Sequence, residues 1–184
     1  MKPQVRTLIR TLVRSLASTL GAILLVAASA AHADVQMCPK AMDSLGGGAP
    51  EFKYDITLSP YTVHWHPSEQ HKPVVLAGIH QYVSADYFCG FSVFSNSFGQ
   101  PSATVYVGKV WNNIWPSQPK VYGKVAAGLM YGYVGEFQHK VPLNYKGFSP
   151  LVVPTAGYRY NRQDSIELQL LGNSALMFSY VHRY

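Results

Sequence analysis

The sequence is poor in cysteine, in charge and in helical periodicity, and each shortage removes a class of protein. Cys38 and Cys89 are the only thiols in 184 residues. Neither stands in a Cys-x-x-Cys or other metal-like spacing, which excludes zinc ribbons and redox dithiol motifs. Spacing alone leaves two readings open, a disulfide formed in an oxidising compartment or a Cys89 that is simply a small apolar strand residue. Charged residues are 13% of the chain, and the first 33 positions hold no acid but four of the fifteen Lys and Arg. The remainder therefore carries eleven cations against nine acids, so the formal charge of +6 for the whole chain falls to +2. No Lys/Arg cluster or aromatic-basic array is left there, which argues against nucleic acid as a partner. Beyond residue 33 no window sustains apolar residues at i, i+3, i+4 and i+7, and none has the roughly 20 apolar residues of a spanning helix.

The amino-terminal cations Lys2, Arg6, Arg10 and Arg14 precede an apolar stretch from Leu20 to Ala30, and Ala31-His32-Ala33 supplies a small-x-small cleavage pattern. A signal peptide over 1–33, cleaved to leave Asp34, is expected. The segment 34–50 contains Gly46-Gly47-Gly48 and is too broken for a long helix, so it reads as an N-terminal linker in the periplasm. From 51 to 184 there is no second linker, and one domain is expected.

That domain repeats short runs rich in Val, Tyr, Phe, Thr and Ile, divided by Gly, Pro, Asn, Ser and Asp. Eight such runs lie at 52–66, 73–82, 87–96, 102–112, 120–133, 149–159, 165–171 and 174–184. In the seventh, Ile166, Leu168 and Leu170 alternate with Glu167 and Gln169. In the eighth, Leu176, Phe178, Tyr180 and Tyr184 share one face and Ala175, Ser179 and Arg183 the other. Period-two alternation, an even strand number and thirteen Tyr suited to interfacial girdles predict an all-β fold. The expectation is an eight-stranded antiparallel transmembrane up-and-down β-barrel in the cell outer membrane. A soluble β-sandwich or lipocalin-like barrel is the rival, since it alternates too. With both termini periplasmic, segments 67–72, 97–101, 134–148 and the Gly172-Asn173 turn face outward. An eight-stranded interior holds side chains or one slender ligand, which argues against a diffusion pore.

On the first strand Thr62, His64 and His66 share a face opposite Tyr61, Val63 and Trp65, so both histidines are expected inside at the outer rim. The third strand ends at Phe94-Ser95-Asn96-Ser97-Phe98, and the topology brings its end to the same rim. A His beside a hydroxyl can serve as general base for acyl transfer if a third group, here Glu69, holds the imidazole. Rim histidines that are merely solvated are the plain alternative. His64 and His66 give two zinc ligands with no evident third, so neither metal nor cofactor is expected. Pro60, Pro73, Pro150 and Pro154 each lack an N–H, and mark either places where neighbouring strands part or simple bulges and strand ends.

These residues resemble the lipid A palmitoyltransferase (PagP-type) family of outer-membrane barrels. The anchors are Tyr54-Asp55, Pro60 and Trp65-His66, then Phe94-Ser95-Asn96-Ser97-Phe98, then Pro150-Leu151-Val152-Val153-Pro154, and the aromatic C-terminus. The resemblance implies transfer of an acyl chain from phospholipid to lipopolysaccharide, with membrane lipids and the outer-membrane assembly machinery as partners. The Trp-His dipeptide maps the functional His to His66, an ungapped count from Tyr54-Asp55 maps it to His64, and the functional Ser maps to Ser97. Asn96 occupies the family's Asp slot, and the long amphipathic helix before the first strand is missing. Two other readings stay open: a non-catalytic barrel that is structural or binds a lipid or ligand, and a small-solute transporter, for example of a phosphorylated polyol.

Overall fold

Alternating β-branched and aromatic residues interrupted by turn formers give eight strands, β1 (Tyr54–His64), β2 (Leu76–Tyr82), β3 (Tyr87–Ser95), β4 (Pro101–Asn112), β5 (Val121–Tyr131), β6 (Phe148–Arg159), β7 (Asp164–Leu171) and β8 (Ala175–Arg183). The computed structural model describes residues 36–184, so the expected signal peptide over 1–33 lies outside the described residues. Each strand pairs antiparallel with the next, and β8 returns to β1 to close the barrel. Helix is confined, among the described residues, to two short 3₁₀ turns at Lys40–Met42 and Gly135–Lys140. The main departures from the expected strands are at the ends. β1 stops at His64, opposite Ala175, and β2 begins three residues after Pro73.

Alternation sorts the side chains as period two requires. Ser165 and Glu167 of β7 and Ala175, Met177, Ser179 and Val181 of β8 are buried inside. Leu58, Phe91, Val105, Leu129, Val152 and Ile166 are exposed on the outer wall. Exposed rings flank this apolar belt. Tyr61, Trp65, Tyr131 and Phe148 stand toward the far end, and Trp111, Tyr158 and Tyr160 toward the terminal end, where β1 starts and β8 ends.

A septum of polar and aromatic side chains crosses the interior and separates two cavities, about 650 Å³ on the far side and about 640 Å³ on the terminal side. On one flank Asp55 accepts from His80 Nδ1 and from the Tyr82 hydroxyl, and the Tyr106 hydroxyl joins His80 Nε2 to Ser92. On the other, Tyr122 and Lys124 both donate to Glu167 Oε1, at 2.6 and 3.0 Å. Fully buried Phe88 fills the space between, with the Lys124 ammonium 5.0 Å from its ring centre. The rings fit only because the facing wall is thin: a Cβ at Gly157 would overlap the Tyr122 ring, and one at Gly108 the Phe88 ring. Gly157→Ala is therefore expected to lower unfolding stability by about 1–3 kcal/mol through overpacking, read as a lower urea midpoint with unchanged slope.

The segment before β1 is a strap on the outside of the barrel. Cys38 forms a disulfide with Cys89, whose side chain points outward from β3. Gln81, opposite Cys89 in the β2–β3 register, accepts the backbone N–H groups of Met37 and Cys38. Met42 clusters with Cys38 and Cys89, and Val83 and Tyr87 pack against them. The strap thus hides Gln81, on the outer wall, from solvent.

Candidate functional site

The inner wall at the far end of β1 depends on one irregularity. Asp55, Thr57 and Ser59 point inward, so an unbroken strand would turn Thr62 and His64 outward. A register shift against β8 between Leu58 and Tyr61, at Pro60, reverses the phase. His64 therefore lines the far cavity.

Its Nε2 lies 2.8 Å from Ser97 Oγ. The Ser97 hydroxyl sits on the turn after β3, and Asn96 shapes that turn. The Asn96 side chain is fully buried; its Oδ1 accepts from the N–H of Phe98 and of Gln100, and its Nδ2 donates to Gln100 Oε1. A carboxylate could accept the two backbone bonds but could not donate to Gln100, which accounts for an amide here. Asn96 makes no bond to either histidine. His66 lies beyond the strand end, exposed at the cavity mouth, and is not bonded to Ser97. Glu69 is exposed on the loop after β1 and bonds neither histidine. The neighbour of His64 is instead His71, with ring centres 4.4 Å apart. Phe98 stands edge-on to His71 and stacks on Phe137 from the 134–147 loop.

Two strand separations flank this rim. β1 pairs with β2 only as far as Ser59, and the next residue is Pro60; residues 61–64 pair with β8 alone. β6 pairs with β7 from Arg159 back to Thr155, and the residue before it is Pro154; residues 148–154 pair with β5 alone. Each separation starts at a residue that cannot donate to the ladder. Between them the cavity wall is largely apolar, with Leu76, Phe94, Met130, Leu151, Val153 and Met177.

A neutral imidazole at this distance can accept the Ser97 proton, and Ser97 lines the same cavity as His64. His71, Phe137 and the septum residues His80, Tyr106 and Lys124 were not among the candidates read from sequence. Lys124 carried a usable signal, a lone cation on the inward phase of an otherwise apolar strand. The loop residues His71 and Phe137 carried none.

No protein-family model and no curated protein matches the chain. Among solved structures it is similar to one described as "De novo design of transmembrane beta-barrels", at a TM-score of 0.52 and 14% identity, over 76% of this chain and 100% of that one. At that identity the likeness bears on the fold alone: a barrel resembling transmembrane barrels, consistent with a membrane location.

Proposed function

We propose that this chain is an outer-membrane barrel that takes a lipid acyl chain sideways into its far cavity and transfers it at the rim, as in the lipid A palmitoyltransferases it resembles. The observation that carries the proposal is the His64–Ser97 hydrogen bond at the mouth of an apolar cavity bounded by two proline-initiated strand separations. The apolar belt between aromatic rings supports membrane insertion, with the termini toward the periplasm and the far rim at the outer leaflet. In the reaction, His64 Nε2 accepts the Ser97 proton as Oγ attacks the phospholipid ester carbonyl. The proton passes to the departing lysophospholipid oxygen. A lipid A hydroxyl then attacks the acyl-serine with its own proton taken by His64, and the proton returns to Ser97.

Expression in a Gram-negative host is expected to add one acyl chain to lipid A, seen by mass spectrometry. His64→Ala and Ser97→Ala should each abolish that addition, whereas His66→Ala should reduce it far less. A second reading, a non-catalytic lipid-binding barrel, is favoured by one observation: no carboxylate is bonded to His64 among the described residues, so nothing fixes its tautomer as a third catalytic group would. That reading predicts unaltered lipid A with an envelope defect on deletion, and an unaltered spectrum would reject the transferase.

A further inference from the structure

The lining of the far cavity mixes apolar side chains with polar ones such as Thr57, Ser92 and Thr104, and one polar patch adjoins a strand separation. Lys124 of β5 is the register partner of Thr155 of β6, and Thr155 is the partner of Gln169 of β7. All three line the far cavity, together with Glu167. Thr155 and Gln169 also form the last pair joining β6 to β7, so the patch lies at the foot of that separation. Its hydrogen-bonding capacity is only partly used within the protein. Lys124 has three N–H donors and gives one to Glu167. Glu167 receives Tyr122 and Lys124 on the same oxygen, Oε1. Gln169 lines the cavity and donates Nε2 to Ser179 Oγ at 2.9 Å, and its carbonyl oxygen accepts no hydrogen bond among the described residues.

The chemistry of the patch selects among possible occupants. A plain methylene segment pressed against it would leave the spare Lys124 donors, the Thr155 hydroxyl and the Gln169 carbonyl without a partner. A carboxylate would add a second negative charge beside Glu167, and the Lys124 charge is already matched. A neutral group that both donates and accepts fits, because it can give its proton to the Gln169 carbonyl or Glu167 and accept from Lys124 or Thr155.

We propose that the acyl chain held by this barrel is hydroxylated along its buried part, with the hydroxyl seated on Lys124, Thr155 and Gln169. This rests on the lipid-chain reading above and specifies its substrate class. The geometry would not have been needed for a saturated chain, for which apolar side chains at 155 and 169 would serve better.

The test uses the folded barrel in amphipol and compares octadecanoic acid with isomers hydroxylated at carbons 10, 12 and 16. Binding is followed by calorimetry. At least one hydroxylated isomer should bind about tenfold more tightly than octadecanoic acid, the net effect of one hydrogen bond. In the double variant Thr155→Val with Gln169→Leu the preference should reverse, octadecanoic acid binding more tightly than every isomer. Heat-modifiable gel mobility checks that the variant is folded. If wild type binds octadecanoic acid as well as all the isomers, this inference is overturned and the lipid-chain reading stands. If none of the acids binds, both fall.

Discussion

Replacing Glu167 with alanine is expected to destabilise the barrel by about 3–5 kcal/mol, the cost of leaving one member of a buried ion pair without its partner. The side chains of Lys124 and Glu167 are 5% and 1% exposed, so water cannot take over from the carboxylate. The Tyr122 hydroxyl loses its 2.6 Å acceptor in the same step and keeps only Ser165 Oγ at 3.1 Å. Removing both charges is a different experiment. Lys124→Met with Glu167→Leu fills similar volume and strands no charge, and is expected to lie within about 1 kcal/mol of wild type or above it. Urea unfolding in lipid vesicles measures both. A single variant as stable as the double would mean that water enters the septum and solvates the lone ammonium.

The second large effect concerns the strap. Cys38 and Cys89 are 51 residues apart and enclose β1 and β2 in a covalent ring. Chain entropy gives such a crosslink a ceiling of about 4 kcal/mol, so Cys38→Ala with Cys89→Ala is expected to lower stability by about 2–4 kcal/mol. A reductant should reproduce the loss in wild type and do nothing to the double variant. The outward face of Gln81 should become open to amide exchange in both cases. A loss below about 1 kcal/mol would show that the bonds to Gln81 and the Met42 contacts hold the strap unaided.

Sequence and structure agree where one physical rule acts alone. β7 could be read directly, because Ile166, Leu168 and Leu170 against Glu167 and Gln169 is a two-sided strand with one wet face and one greasy one. β1 could be read in halves. Tyr61, Val63 and Trp65 announced their outward face, but the opposite phase of Asp55, Thr57 and Ser59 was hidden, since alternation does not encode a register shift. Which of His64 and His66 meets Ser97 depends on the point at which β1 ends, and strand ends are set by the partner strand rather than by local propensity. The contact of His71 with His64 and of Phe98 with Phe137 depends on the paths of two loops, which carry no period. Cys38 and Cys89 were equally mute, because their pairing follows from where the strap runs. Asn96 occupied the expected place in its motif, yet its side chain is turned toward Gln100, a partner four residues on that no pattern singles out.

The two strand separations divide the far half of the barrel into unequal blades on a common closed ring. β7, β8 and β1 form a narrow blade of three strands, and β2 through β6 a broad one of five. His64 stands on the tip of the first, Ser97 on the tip of the second. Their hydrogen bond is therefore a clasp across a jaw, and any lipid wide enough to spread the blades must first stretch or open the pair of groups proposed to act on it.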